Sequence, residues 1–245
     1  MTAEVHENER VDDLERSHLR IIQDPGRFCF GMDAVLLTGY VRVPQGAQLL
    51  DLGTGTGIIP ILLSAKSEAE HLTGLELQPE SADMAARSVK MNALEHKISI
   101  IQGDIREAAG IFDAASFDVV TANPPYMRGG AGLLNPEGSM AIAKHEVCCT
   151  LEDVVRAASY CLKEGGIFGL VHRPFRLPDI FEEMRRHAIE PKRMKLVCPY
   201  AGREPSLVLI EGRRGGRPQL TVEAPLIIYG PDGVYTEEIR EIYGY

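Results

Sequence analysis

Short apolar runs that stop at glycine, proline or an acid alternate along the chain with amphipathic stretches. AQLLDLG (47–53), HLTGLEL (71–77), ISIIQGD (98–104), FDVVTANPPY (117–126) and IFGLVH (167–172) read as strands buried on both faces. Between them IIPILLSAK (58–66), PESADMAARSVKMNAL (79–94), TLEDVVRAASYCLKEGG (150–166) and LPDIFEEMRRHA (177–188) read as helices. Pro60 and Pro79 fall in first turns, Thr150 and Asp153 have capping-box spacing, and Gly165 is expected at a helix exit. RMKLVCPY (193–200) and SLVLIEGRR (206–214) read as two last strands, made antiparallel by the short AGREP connection. Repeated strand–helix alternation predicts an α/β domain whose mostly parallel sheet carries helices on both faces, with ligands at the carboxyl ends of its strands. Residues 1–16 read as a loosely packed, flexible lead-in, and the tail 218–245 mixes strand-like and helix-like pieces with no docking site legible.

Composition narrows this modestly. With 245 residues, 44% hydrophobic and 25% charged, the chain suffices for one large domain or two small ones, and a single domain over 17–245 is the expectation. No apolar run reaches the ~18–20 residues of a membrane helix. The N-terminus is polar and acidic, unlike a secretory signal, so a cytoplasmic protein is expected. The five cysteines, with no C-x-x-C pair, read as reduced thiols; neither a disulfide framework nor a metal site is expected.

The net charge of −9 excludes a uniformly basic nucleic-acid binder. Its distribution is uneven: residues 151–217 carry about +4 within an otherwise acidic chain. Arg185, Arg186, Lys192, Arg193, Lys195, Arg203, Arg213, Arg214 and Arg217 fall in that stretch. They are either ordinary solvated surface or a face for an anionic partner.

Candidate chemistry sits at the strand ends. Asp51-Leu52-Gly53-Thr54-Gly55-Thr56-Gly57 leads from a strand into a helix. Its glycines allow a tight turn and close approach of a ligand. The spacing is not that of the dinucleotide fingerprint, and the acid before the first glycine suits an ammonium or sulfonium better than a pyrophosphate. Glu76, at the end of the second strand, is placed to accept both hydroxyls of a ribose. Asp104, ending the third, is either an acceptor for an adenine amino group or a turn aspartate. Asn123-Pro124-Pro125-Tyr126 ends the fourth. The Asn123 side-chain oxygen and the Pro124 carbonyl can accept the two hydrogens of a planar NH₂ group, and Tyr126 can stack on the ring that carries it.

In this order DLGTGTG, GLEL, GDI and NPPY resemble the amino-methylating S-adenosylmethionine-dependent methyltransferases of Rossmann-like fold, over about residues 28–214. With Gln23, FCFGMDAVLL (28–37), Lys144-His145-Glu146 and REPSLVLIEG (203–212), the ensemble is similar to the bacterial family that methylates N6 of an adenine beside the anticodon of valine tRNA. The resemblance implies a seven-stranded, mostly parallel class I methyltransferase sheet with a C-terminal antiparallel hairpin. It implies S-adenosylmethionine as cofactor and tRNA as partner. Asp51 and Gly53, Gly55 and Gly57 would hold the methionine part, Glu76 the ribose, and Asp104 with Ile105 the adenine. Asn123 to Tyr126 would form the target-amine pocket, with Asn123 also beside the cofactor. Phe30 to Asp33 would cover the cofactor, or simply begin a helix that Asp33 caps. His145 and Glu146 match a recurrent segment of unassigned role.

If the partner is RNA, the stretch 185–217 is the expected contact surface. The alternative acceptor is a glutamine amide of a translation release factor, but the ~50 residues before Asp51 are short for the helical substrate domain of those enzymes. A cofactor-binding module without catalysis is disfavoured by the intact NPPY, and an NAD enzyme by the glycine spacing.

Overall fold

The computed structural model describes residues 4–27, 29–124 and 149–244. Over these the strands are β1 (Arg10–Asp13), β2 (Arg20–Gln23), β3 (Gln48–Leu52), β4 (His71–Glu76), β5 (Ile98–Gln102) and β6 (Phe117–Ala122). They continue with β7 (Leu162–His172), β8 (Ile189–Cys198), β9 (Leu207–Arg214), β10 (Thr221–Val222) and β11 (Leu226–Ile227). The α-helices are α1 (Met32–Tyr40), α2 (Ile58–Lys66), α3 (Pro79–Met91), α4 (Ala108–Ile111), α5 (Leu151–Cys161), α6 (Leu177–Arg186) and α7 (Glu237–Tyr243).

The main sheet runs β10-β8-β9-β7-β6-β3-β4-β5, with β11 also on β8. Every pair is parallel except those of β9 with β7 and β8, the expected C-terminal hairpin. Strand β3 pairs with β4 on one side and β6 on the other, so chain order reverses there and opens a crevice at the strand ends.

Alternate side chains feed two cores. Leu49, Val119, Ile167 and Leu209 meet α1, α2 and α3 on one face. Leu50, Val120, Phe168 and Ile210 meet α5 and α6 on the other. This is why the strands read as continuous apolar runs: both faces are covered. Helix α5 starts with the expected capping box, Asp153 N–H donating to Thr150 Oγ1 at 3.2 Å and Thr150 N–H to Asp153 Oδ2 at 2.9 Å. It ends earlier than expected. Gly165, expected at its exit, lies at φ +74° inside β7, where β6 and β7 shift register, and the chain is already extended from Leu162.

The termini belong to the core. Residues 10–13, expected within a loose lead-in, pair with β2 as a hairpin on α3. Backbone and side chains clamp it there: Ile22 N–H donates to Ser88 Oγ at 2.9 Å, and Arg20 N–H to Asn92 Oδ1 at 2.9 Å. The tail docks too. Leu226, Ile228 and Ile239 are buried in the same hydrophobic core as Leu14, Leu19 and Ile21. Helix α7 lies so close to α1 that a Cβ on Gly39 would stand 2.9 Å from Ile242. Tyr200, Tyr229, Tyr235 and Tyr243 form a row of rings at centroid spacings of 5.4, 5.3 and 5.7 Å.

A fork of two bonds from Arg87, at 2.6 and 2.7 Å, fastens Glu9 to α3. These bonds hold the Glu9 carboxyl down at about 2, from 4.5. A lowered folded-state pKa stabilises fully above the unfolded value and loses its effect as pH falls through the folded one. Glu9→Gln should therefore cost about 1.5 kcal/mol near neutral pH. The deficit should shrink between about pH 4.5 and 2 in denaturant melts; an equal deficit at both ends overturns the assignment.

Candidate active site

The glycine loop leaves β3 at the switch point. Gly53, Gly55 and Gly57 take φ of +72°, +58° and +87°, in the left-handed region. Gly53 and Thr54 N–H groups both donate to Leu75 O, at 2.9 and 3.0 Å, which straps the loop to the end of β4. Among the described residues, a Cβ on Gly55 would meet nothing within 4 Å, and one on Gly53 only Ile105 Cδ1 at 3.8 Å. The loop backbone thus faces space that no described residue fills, beside Ile105, where a cofactor could approach it closely.

Glu76 is buried against this loop. Its Oε2 accepts Gly55 N–H at 2.9 Å and its Oε1 accepts Gln78 N–H at 2.9 Å. A carboxylate oxygen has a second lone pair, so both can also receive ribose hydroxyls. Asp51 lies beneath the loop and is fully buried. Thr121 Oγ1 donates to its Oδ1 at 2.7 Å. Burial pushes its carboxyl up to about 7, reinforced by the charge of Glu76 and opposed by the Thr121 and Thr54 hydroxyls. Thr54 lies close enough to act on it but makes no hydrogen bond of ordinary geometry, and Asp51 Oδ2 has no such partner among the described residues. Asp51 has no exposed surface, and its carboxylate, where ionised, sets up a field that would favour a cation above the loop.

Asp104 follows β5. Its carboxylate accepts Arg106 N–H at 2.8 Å and pairs with the Arg106 guanidinium at 2.5 Å, capping the short 3₁₀ turn Ile105–Glu107. Those bonds hold its carboxyl below the usual range. The turn-aspartate role left open by the sequence is therefore realised, and Asp104 has its Arg106 partners whatever else it binds. Asn123 and Pro124 continue β6. Leu52 and Ala122 are cross-strand partners, so Gly53 and Asn123 leave neighbouring strands at the same height. Pro125, Tyr126, His145 and Glu146 lie outside the described residues.

Helix α1 starts at Met32 with Gly31 as its N-cap; Asp33 sits in the first turn and is not the cap. Phe30 packs on the core, and its N–H donates to Oε1 of the buried Gln23 at 3.0 Å. Gln23 Nε2 in turn donates to Asp12 at 3.0 Å, tying this entry segment to the hairpin. Thr54 and Thr121 were not singled out in the sequence. Their signal was available: Thr121 stands opposite Asp51 in any parallel pairing of the two strand ends.

The cations of 185–217 do not gather at this site. Strand β9 runs against its neighbours, with Arg213 opposite Ile167 in the middle of β7 and Arg214 opposite Ile189, the first residue of β8. Arg213 and Arg214 therefore lie at the far edge of the sheet, their guanidiniums on the Gly165 and Leu162 carbonyls. Arg185 and Arg186 end α6 at that same edge and pair with Glu190, Glu182 and Glu183. Arg193 bridges Glu211 and Glu223 and caps the Tyr40 ring at 4.6 Å; Lys195 pairs with Glu223 and Glu238. Lys192 donates to Arg217 O. Of the group, Arg203 alone stands in a loop at the glycine-loop edge, between β8 and β9.

Known proteins share this frame. A family model described as methyltransferase small domain matches residues 18–188. A tRNA1(Val) (adenine(37)-N6)-methyltransferase of Histophilus somni is 30% identical over 227 residues, 91% of each chain. The corresponding enzyme of Bacteroides fragilis (strain YCH46) is 28% identical over 181 residues, 74% of this chain and 75% of that one. Among solved structures, a predicted O-methyltransferase from Agrobacterium tumefaciens superposes with TM-score 0.71 at 25% identity, covering 86% of this chain and 95% of that one. Geranyl diphosphate C-methyltransferase from Streptomyces coelicolor A3(2), solved with S-adenosyl-L-homocysteine, shares the fold at TM-score 0.55 and 14% identity, covering 75% and 78%. The chain belongs to the methyltransferase small-domain family and, within it, to the S-adenosylmethionine-dependent tRNA (adenine-N6)-methyltransferases.

Proposed function

We propose that the protein methylates N6 of an adenine in tRNA, the adenine 3′ of the anticodon in valine tRNA, using S-adenosylmethionine. The observation that carries this reading is the junction of two strands: Leu52 pairs with Ala122, which sets the glycine loop beside Asn123-Pro124. When bound, the cofactor supplies an electrophilic methyl on a sulfonium. Glu76 would hold the ribose, Ile105 would pack on the adenine, and the loop backbone would receive the methionine part over the buried Asp51. The Asn123 side-chain oxygen and the Pro124 carbonyl would accept the two N6 hydrogens of the target base. An adenine amino nitrogen is a poor nucleophile because its lone pair is delocalised into the ring. Two acceptors favour a more pyramidal nitrogen and stabilise the charge that develops there. Fixing donor and acceptor in line supplies several kcal/mol more, of order ~7 in favourable cases. The proton then leaves to water, since the tetrapeptide holds no strong base. Tyr126 would replace stacking that the extruded base loses.

Acceptance by a release-factor glutamine is not favoured. The curated relatives are named for tRNA. No helix among the described residues is long and apolar enough to cross a membrane.

The deciding assay offers tRNA lacking the modification and labelled S-adenosylmethionine, followed by nucleoside mass spectrometry. N6-methyladenosine is the expected product; label on protein instead would move the acceptor to glutamine. Asn123→Ala should bind S-adenosylhomocysteine normally and lose about a hundredfold or more in transfer rate; near wild-type turnover would overturn the pocket. Gly55→Val places a branched side chain in the space before the loop at a φ that valine avoids. Its affinity for S-adenosylhomocysteine, read by calorimetry, should drop by about tenfold or more. Unchanged affinity would mean that the cofactor does not lie against Gly55.

A further inference from the structure

The crevice divides the strand-end edge into two halves. The loop after β3, Glu76 ending β4, and Ile105 after β5 make the cofactor half. The ends of β6, β7 and β8 and the start of β9 make the other. Registers fix this: Ala122 pairs with Leu170, His172 with Val208, Leu196 with Val208 and Val197 with Leu207. The turn after β7 and the loop between β8 and β9 therefore stand on the same edge as Asn123, on the side away from the cofactor half. They are also tied together, since Arg173 Nη1 donates to Ser206 O at 2.9 Å.

These two loops carry an unusual surface for a chain of net charge −9. Phe175, in the 3₁₀ turn Pro174–Arg176, is 62% exposed, and Tyr200, just past β8, is 42% exposed. Arg203 is exposed and has no ion-pair partner among the described residues, in contrast to Arg185, Arg186, Arg193 and Lys195. Large solvent-facing rings and an exposed guanidinium on adjoining loops match what an unpaired stretch of nucleic acid offers: base faces to stack on and phosphates to pair with.

We infer that the loops 173–176 and 199–206 are the RNA-docking face: Phe175 and Tyr200 stack on unpaired nucleotides flanking the target adenine, and Arg203 pairs with the backbone. This deepens the reading of the protein as a tRNA adenine methyltransferase and rests on it. It also moves the contact surface from the far edge, where Arg213 and Arg214 lie, to the edge that holds Asn123. A base seated at Asn123 has its neighbouring nucleotides over the ends of β7, β9 and β8, because the other direction is filled by cofactor.

The test measures the Kd of an unmodified tRNA transcript by anisotropy, with S-adenosylhomocysteine affinity as the check on folding. Arg203→Glu should weaken tRNA binding about tenfold or more and lower the slope of log K against log salt by about 1. Phe175→Ala should weaken it about tenfold with the salt slope unchanged. The double reversal Arg213→Glu/Arg214→Glu should leave Kd within about twofold. Unchanged Kd in both Arg203→Glu and Phe175→Ala, or a larger loss in the double reversal, overturns the assignment while leaving the methyltransferase reading intact. Wild-type protein that forms no N6-methyladenosine in tRNA overturns the functional reading, and this face with it.

Discussion

Glu76 holds the site together. One carboxylate oxygen takes the Gly55 N–H of the loop after β3, and the other takes the Gln78 N–H that leads into α3. Leu75, one residue before, accepts from both Gly53 and Thr54. Two adjacent residues at the tip of β4 thus fix a three-glycine loop that has few side chains of its own to pack. The cost of ordering glycines is high, and backbone bonds at a strand tip are what offset it here. Everything placed relative to that loop inherits the fixing: the space before Gly53 and Gly55, the field of Asp51 below, and Asn123 beside.

Asp51 and Thr121 show how a parallel sheet tolerates polarity at such a point. Most of the sheet's buried side chains are apolar, and an unpaired carboxylate among them would be expensive. Register sets Thr121 opposite Asp51, and its hydroxyl satisfies one oxygen. The remainder of the cost appears as a carboxyl pushed up to about 7, a group whose charge a cationic ligand above the loop would stabilise. Gly74 completes the row, and the room it leaves is filled by Thr54; a Cβ there would stand 2.7 Å from Thr54 Cγ2.

Charge is where position in the chain misleads most. Arg185 and Arg214 flank Arg203 in sequence, yet the lengths of β8 and β9 put both of them at the edge of the sheet opposite to it. Arg185, Arg186, Arg193 and Lys195 are neutralised at short range by Glu182, Glu183, Glu190, Glu211, Glu223 and Glu238, and Lys192, Arg213 and Arg214 are held on backbone carbonyls. Surface pairs of this kind add little stability, but they remove the field that an anionic partner would sense. A run of arginines becomes a binding face only if the fold leaves it both gathered and unpaired.

The sequence by itself determined the strand and helix order, the loop at the switch point, and the placing of Glu76 and Asn123 at strand ends, because each follows from local patterns of burial and turn chemistry. DLGTGTG, GLEL and NPPY are contiguous, so their chemistry survives reading one residue at a time. The tertiary structure alone decided what depends on distant partners. Arg10–Asp13 became a strand because α3 offers Ser88, Asn92 and Arg87 to the hairpin. The tail found α1 through Gly39. Which cations stay free is a matter of strand direction and of carboxylates far away in the chain, and no local pattern encodes either.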